Sequence, residues 1–370
     1  MANSESTSEI KVEDDNSTCS TVAKVGVATM GVITLLGIIA AVVVVAFVTE
    51  MVKAPKSELV FVQVIFNSGA HAPDVLTDEA SFPRGAGQLT DRGFADSYRL
   101  GEFLHDRYVK TDFIDPLLKT NQMSWLSSKN DKCLSTASTV SAGMMNSETK
   151  LRYAPVLAAD GILSEDSSRC TNTKNLIYRN CSTSPQDDLL QCLNIQNVLF
   201  NKYNLSQILE FVEKSRNKLD VPREVQDRID QVIDIYSKIH NYKLGVGEHR
   251  NEMILRVKFG AILHRIVNQF NKPIKAKFFA YSVDDDLFSG LIEILKPETT
   301  VVPKIVGFNS MILIELRKFD NDETKLDIKY KSDEENWNDF VQFSPKNFKI
   351  ADLVEKTSNL VDENKSSCEH

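Results

Sequence analysis

Cysteine and positive charge are both scarce in this chain. Six cysteines among 370 residues are too few for a disulfide-stapled scaffold, although they suffice for two bridges. The chain has 43 lysines and arginines against 51 aspartates and glutamates, and its net charge of -8 argues against a nucleic-acid partner. Hydrophobic residues make up 42% and charged residues 25%, which excludes a disordered, collagen-like or multi-span membrane protein.

Long uncharged stretches are also rare, and a single one is present. Residues 25–49 carry no charged side chain, and a helix of that length spans about 37 Å, enough to cross a hydrocarbon core of about 30 Å. A cleaved signal peptide is the alternative, but its apolar core is usually shorter, about 7–15 residues. We therefore predict an uncleaved signal anchor at 25–49, preceded by a disordered, acidic tail over residues 1–24.

The orientation of this predicted span follows from weaker signals. Two lysines lie on each side of it, so counting basic residues does not decide the topology. Five of the six cysteines follow the span, as do three N-glycosylation sequons. We expect a single-pass type II protein with a cytosolic tail and an extracellular or lumenal domain. The candidate glycosylation sites on that domain are Asn180, Asn204 and Asn364.

The remainder of the chain, from about residue 57, has the pattern of an α/β fold. Residues 59–66 are β-branched and aromatic with both faces apolar, which is typical of a buried central strand. Amphipathic helices dominate about 154–247 and indicate an inserted helical subdomain. The other predicted helices are 87–108, 134–145, 250–270 and 287–295, and the other predicted strands are 123–127, 277–282, 310–316 and 325–330.

Polar residues follow the central strand, where open α/β sheets bind ligands. The turn reads Asn67-Ser68-Gly69-Ala70-His71 and resembles the histidine acid phosphatases, the prostatic, lysosomal and venom enzymes, whose first strand runs into Arg-His-Gly-x-Arg-x-Pro. Residues 82–93, 126–129 and 278–285 are similar to three further motifs of that family, in the same order. The resemblance covers about 57–370 and implies a phosphoglycerate-mutase-like mixed sheet flanked by helices.

The same resemblance implies that most of the catalytic groups are missing. In the family the first histidine attacks phosphorus, arginines hold the phosphoryl oxygens, and the aspartate of a His-Asp pair protonates the leaving group. Here Ser68 occupies the nucleophile position, and the His-Asp pair is replaced by Asp284 and Asp285, of which Asp285 alone is retained. The phosphate-binding arginine positions are taken by Asn67, His71 and Leu126.

Elementary electrostatics leads to the same expectation. Phosphoryl transfer needs cations around the equatorial oxygens, and each lost arginine removes about 4 kcal/mol of attraction at about 4 Å with an effective dielectric of about 20. We therefore predict a catalytically inactive protein that acts by binding a protein or a small molecule, without a cofactor. The alternative is an acid phosphatase with weak or rewired activity towards phosphate monoesters.

Two rewired chemistries are open to these residues. Ser68, His71 and Asp285 could form a triad, or Asp284, Asp285 and Asp286 could bind a divalent cation together with His71. We expect instead that Ser68 and His71 fill a vacated pocket, that the three aspartates begin the next helix, and that no metal binds. An arginine from outside the family positions, such as Arg84, would restore phosphate binding if it entered the crevice.

The charged helix faces and the cysteines complete the expectations. Residues 213–218 and 223–230 are mixed-charge faces that we expect to be solvated. The resemblance implies a disulfide between Cys181 and Cys368, whereas Cys133, Cys170 and Cys192 allow several pairings. Members of the family often dimerise, so a second copy of the chain is one of the partners to be tested.

Overall fold

A computed structural model describes residues 57–145, 152–159, 163, 193–271, 276–300, 303–332 and 339–361. The predicted tail and anchor lie outside these residues, as do the candidate glycosylation sites Asn180 and Asn364. In the described part of the chain no helix combines the length and the apolarity of a membrane span. Cys133 is buried there with a free thiol. The remaining cysteines, Cys19, Cys170, Cys181, Cys192 and Cys368, fall outside the described residues.

The described residues from Ser57 onward form one compact unit, built on a mixed sheet. The strands lie in the order β3-β2-β4-β1-β5-β6-β7, so the first strand is central, as its apolar faces predicted. β1 runs parallel to β4 and antiparallel to β5. The strands are β1 Ser57–Asn67, β2 Met123–Ser127, β3 Val156–Ala158, β4 Phe278–Val283, β5 Met311–Phe319, β6 Thr324–Lys331 and β7 Val341–Gln342.

Helices cover both faces of this sheet. Four of the eight α-helices among the described residues were predicted with boundaries within a few residues, and Thr90 begins the first helix as an N-cap that accepts a hydrogen bond from the Gly93 N–H. The helices are α1 Asp91–Leu104, α2 Asp131–Met145, α3 Leu205–Arg216, α4 Arg223–Gln226, α5 Ile229–Leu244, α6 Glu252–Asn268, α7 Asp285–Leu295 and α8 Ile350–Thr357. The predicted class, a mixed sheet flanked by helices, is therefore confirmed.

Alternation along β1 divides the core into two layers. Phe61 and Ile65 pack in one cluster with α6 and α7, whereas Val62, Val64 and Phe66 point to the other cluster with α1 and α2. Each buried side chain of this kind stabilises the fold by about 1.5–3 kcal/mol. The sheet is thus fixed between two apolar layers, and its carboxyl edge is held in place.

The helices α3, α4 and α5 form a smaller core of their own. Ile208, Phe211 and Val212 of α3 pack there against Val225 and Val232. The segment between β2 and β4 that contains these helices also supplies β3, a short edge strand that the sequence pattern did not predict. This helical layer brings α3 to the carboxyl edge of the sheet. Asn217, which follows α3, donates a hydrogen bond from its side-chain amide to the His71 carbonyl oxygen in the turn after β1.

Candidate functional site

The carboxyl ends of β1 and β4 meet, because the two strands are parallel and Asn67 pairs in register with Val283. The Asn67 amide nitrogen Nδ2 donates to Asp285 Oδ1 at 2.6 Å and to the Gly307 carbonyl oxygen at 2.9 Å. Its Oδ1 accepts from the Ser68 N–H. The fold therefore brings together residues that lie more than two hundred positions apart in the sequence.

Ser68 lies at this junction and is fully buried. Its Oγ has no hydrogen-bond partner among the described residues. A catalytic serine needs a base within hydrogen-bond reach, so the hypothesis of a Ser68–His71–Asp285 triad is wrong for this conformation. The interpretation that Ser68 fills space in a vacated pocket agrees with its contacts.

His71 is held as a neutral ring. It is 2% exposed, and its Nδ1 lies 3.0 Å from the Gly69 carbonyl oxygen. Burial, with further repulsion from the Lys132 charge, lowers the pKa of His71 to about 4. The edge of the ring meets Phe308, with 5.3 Å between the ring centres. A neutral imidazole cannot replace the charge of an arginine at neutral pH.

Leu126, predicted as the third vacated arginine position, lies elsewhere. It is on β2, is buried, and packs in the apolar cluster with α6 and α7. Ser128 and Lys129, just beyond the end of β2, are the residues of this motif that border the cleft. Leu126 therefore contributes to the core and offers nothing to a ligand.

The three aspartates after β4 begin a helix, as expected. The Asp284 carboxylate is the N-cap of α7 and accepts from the Leu287 N–H at 3.0 Å. Burial, together with the neighbouring charge of Asp286, raises the pKa of Asp284 to about 6. The described residues contain no group of three or more His, Cys, Asp or Glu side chains arranged to hold a metal ion.

An arginine that the sequence did not single out lies at the centre of the site. Arg216, the last residue of α3, makes a two-pronged ion pair with Asp285, Nη1 to Oδ2 at 3.0 Å and Nη2 to Oδ1 at 3.1 Å. It also donates to Glu213 Oε1 at 2.7 Å and to the Val306 carbonyl oxygen at 2.9 Å. Its guanidinium lies over the Phe308 ring, 4.0 Å from the ring centre.

This ion pair fixes the charge of Asp285. Burial alone would raise the pKa of the Asp285 carboxyl, but the charge and hydrogen bonds of Arg216 hold it well below its usual range. Burial likewise opposes the charge on Arg216, and Asp285 and Glu213 outweigh it, so the pKa of Arg216 is raised. Both groups are therefore ionised across the physiological range.

The expectation of a solvated helix face at 213–218 is wrong in its main part. Glu213 and Lys214 are buried, and the Arg216 side chain is 11% exposed. The sequence spacing indicates this burial, because Ile208, Val212 and Arg216 follow each other at intervals of four and so share one face of α3. The face at 223–230, by contrast, is mostly exposed, as expected.

Lys132 is the second buried cation near the cleft. Its Nζ lies 3.1 and 3.2 Å from the two carboxylate oxygens of Asp74. Burial disfavours its charge, but Asp74 and Asp285 raise the pKa of Lys132 above its ordinary value. Arg84, the arginine proposed to enter the crevice, does not do so, since it is exposed and pairs with Asp91.

These side chains surround a cavity of about 580 Å³ at the carboxyl edge of the sheet. Among the described residues six carboxylates border it, while Lys129 and Lys132 are the bordering cations. The carboxylates belong to Asp74, Glu210, Glu213, Asp284, Asp285 and Asp286. The cavity is therefore lined mainly by negative charge.

A larger hollow of about 1090 Å³ lies near the amino end of β1. The half-buried Arg107 and the buried Glu315 pair there with each other at 2.8 Å, and the Tyr108 hydroxyl donates to the same carboxylate. This hollow is remote from the strand ends at which α/β sheets bind ligands, so the smaller cavity is the candidate site.

Comparison with known families identifies the superfamily of this chain. The family model described as "Histidine phosphatase superfamily (branch 2)" matches residues 28–241, more than half of the chain. The chain belongs to this superfamily. The resemblance drawn from the sequence motifs is thereby confirmed.

Individual proteins and a solved structure are also similar to this chain. The chain is similar to putative acid phosphatase 1 of Caenorhabditis elegans, 25% identical over 305 residues, 73% of this chain and 71% of the relative. It is 27% identical to prostatic acid phosphatase of Homo sapiens over 276 residues, 63% of this chain and 68% of that protein. The phytase from Citrobacter braakii shares the fold, with a TM-score of 0.60 and 10% identity over 84% of this chain and 99% of that chain.

The polarity of this cleft differs from that of an anion-binding site. Asn67, Ser68, His71, Asp284 and Asp285 all lie at the carboxyl edge of the sheet, as their motifs predicted. The sequence motifs did not reveal the cations that enter from the helices, Arg216 and Lys132, each of which a carboxylate neutralises.

Proposed function

We propose that this protein is a membrane-anchored, non-catalytic member of the histidine phosphatase superfamily that acts by binding a ligand. The ion pair between Arg216 and Asp285 carries the proposal. A general acid must hold a proton near the working pH, and Asp285, the retained proton-donor position, is held in its ionised form by Arg216 and Asn67. It therefore has no proton to give to a leaving group.

The nucleophile position supports the same proposal. Ser68 is a weak nucleophile unless a base takes its proton, and no described group accepts a hydrogen bond from its Oγ. His71 does not serve as this base in the present conformation, because Ser68 Oγ makes no hydrogen bond to its ring.

The charge of the cavity supports it further. A phosphate dianion would meet a wall of six carboxylates, and the two buried cations nearest to it already have carboxylate partners, Arg216 with Asp285 and Lys132 with Asp74. Each pair of like charges at about 4 Å would oppose binding by about 4 kcal/mol for an effective dielectric of about 20.

The remaining parts of the proposal come from the sequence. Residues 25–49 would anchor the chain, with the large domain on the extracellular or lumenal side. A disulfide between Cys181 and Cys368 and glycans at Asn180, Asn204 and Asn364 belong to this topology. Asn204 is exposed at the amino end of α3, which is where a glycan would have room.

Hydrolysis of an aryl phosphate ester tests the proposal. We expect the full chain, purified in detergent, to release no more phenol between pH 4 and pH 8 than its Ser68→Ala and Asp285→Asn variants do. Ser68→Ala is a well-matched control, since it removes a buried oxygen that has no partner and should leave the fold intact or slightly more stable, by about 1 kcal/mol.

The two variants separate catalysis by this chain from a contaminating phosphatase. Turnover that is equal in the parent and both variants comes from elsewhere and leaves the proposal standing. Turnover that is lost in Ser68→Ala or Asp285→Asn, with unchanged circular dichroism, would identify a working hydrolase and end the proposal.

A further inference from the structure

The cavity at the carboxyl edge of the sheet has the size of a small-molecule site. Its volume of about 580 Å³ falls within the range of about 300–1,000 Å³ that ligand pockets occupy. Tyr236 of α5 contributes an aromatic ring to its wall, and that ring is stacked on His240 at 5.5 Å between centres. What the cavity binds should follow from the hydrogen-bonding groups that face it.

His71 presents an acceptor to this cavity. A carbonyl oxygen can only accept, so the contact of Nδ1 with the Gly69 oxygen at 3.0 Å places the proton of the neutral ring on Nδ1. The other nitrogen, Nε2, is then an acceptor, and no described residue donates to it. His71 is 2% exposed and borders the cavity, so a ligand there is the partner that Nε2 lacks.

Glu213 presents a second unpartnered acceptor. Its Oε1 accepts from Arg216, but its Oε2 is buried with no hydrogen-bond partner. The residue is 8% exposed and borders the cavity. A buried carboxylate oxygen without a donor costs about 1–3 kcal/mol, and a donor supplied by a ligand would recover that cost.

Asp284 and Asp286 add charge without adding donors. Both border the cavity, and their mutual repulsion disfavours ionisation of Asp284. Lys132 and Arg216 are engaged with Asp74 and Asp285 and leave a surplus of negative charge on the wall. A ligand that fits this wall carries positive charge and several N–H donors, which describes an amine or a guanidine and excludes a phosphate.

We propose that the cavity binds a protonated amine, as an ammonium or guanidinium group carried by a free polyamine or by a lysine or arginine side chain of a peptide. His71 Nε2, Glu213 Oε2 and the Asp284 carboxylate accept its N–H groups, and the Tyr236 ring packs beside it. This inference rests on the proposed function, because a working phosphatase would require a cationic cleft.

Titration calorimetry with the full chain in detergent tests this inference. The probes are spermidine, agmatine and a lysine-containing tripeptide, and butane-1,4-diol serves as the uncharged analogue of a diamine. We expect saturable binding of at least one amine and none of the diol. Spermidine or agmatine binding identifies a free amine as the source, and tripeptide binding identifies a side chain; both support the inference.

Two variants show whether binding occurs in this cavity. Asp284→Asn keeps the N-cap of α7 and should weaken amine binding about tenfold or more, equivalent to about 1.4 kcal/mol. Glu213→Gln should weaken it similarly, whereas Asp220→Asn, at an exposed carboxylate outside the cavity, should leave it unchanged.

The outcomes that overturn the inference are distinct from those that overturn the proposed function. Failure of every amine to bind at millimolar concentration, or binding that is the same in Asp284→Asn and Glu213→Gln as in the parent, would refute the amine site. Aryl phosphate turnover that depends on Ser68 or Asp285 would refute the proposed function, whatever the calorimetry shows.

Discussion

Replacing Arg216 with methionine should destabilise the protein by about 3–5 kcal/mol, because it leaves Asp285 and Glu213 buried without their cation. The side chain also loses its bond to the Val306 carbonyl oxygen and its packing on Phe308. The loss should be smaller at pH 5 than at pH 7, since both carboxyls can then begin to take up protons. Urea unfolding of the full chain, followed by tryptophan fluorescence, measures the difference.

Two matched variants show whether the buried network is the cause. Arg216→Lys keeps the charge but cannot make the two-pronged contact, so an intermediate loss is expected. Arg223→Met changes an exposed arginine at the start of α4. It should shift the free energy of unfolding by less than about 0.5 kcal/mol. Equal stabilities for Arg216→Met and Arg223→Met would contradict the network described here.

Replacing Asp284 with asparagine should stabilise the protein at pH 7, by about 2–3 kcal/mol. The carboxyl has a pKa of about 6 in the folded protein against 3.8 in the unfolded chain, and each pKa unit corresponds to about 1.4 kcal/mol. Above pH 6 the group is ionised in both states, so folding carries the full cost of its burial beside Asp286. Asparagine avoids this cost and caps α7 equally well.

The pH dependence of this effect is opposite to that of a carboxylate whose pKa is lowered on folding. As the pH falls from 6 towards 4 the parent protein takes up a proton in the folded state first, so its disadvantage shrinks and vanishes below the unfolded pKa. The advantage of Asp284→Asn should therefore be largest at pH 7 and absent near pH 4. A variant that is less stable than the parent at pH 7, with Asp220→Asn unchanged, would show that the carboxylate stabilises the site instead.

In a binding site, we expect some substitutions in the cleft to stabilise the free protein. Residues kept for ligand recognition are rarely the ones that stabilise the free protein best. The unpartnered Ser68 Oγ and Glu213 Oε2 have the same character, since each is buried without a donor or an acceptor. The cavity is thus a region in which the folded chain retains polar groups at a cost.

Much of the fold could be predicted from the sequence because its signals are local. The apolar run of β1 has side chains for both faces of the sheet, and only a central strand buries both. The turn after it, with Asn67 and Ser68, follows a parallel strand end, where ligands bind in such sheets. The motifs that resemble the histidine acid phosphatases predicted the superfamily, and the family comparison confirms it.

The charge of the cleft could not be predicted from local sequence patterns. Arg216 meets Asp285 across 69 positions of the chain, and this contact exists because α3 packs over the end of the sheet. The four-residue spacing from Val212 shows that Arg216 faces inward, but it does not name the carboxylate on the other side. β3 was not predicted, because a strand of three residues at a sheet edge is too short to show a recognisable alternation of apolar and polar residues.

The proposed function depends most on the absence of phosphate affinity in this cleft. Titration of inorganic phosphate into the full chain in detergent, at pH 6 and low salt, tests it directly. We predict no saturable heat up to millimolar concentration, which corresponds to a binding free energy weaker than about -4 kcal/mol. Saturable phosphate binding in the parent that is lost in Lys132→Met, with the fold intact, would contradict the proposed function.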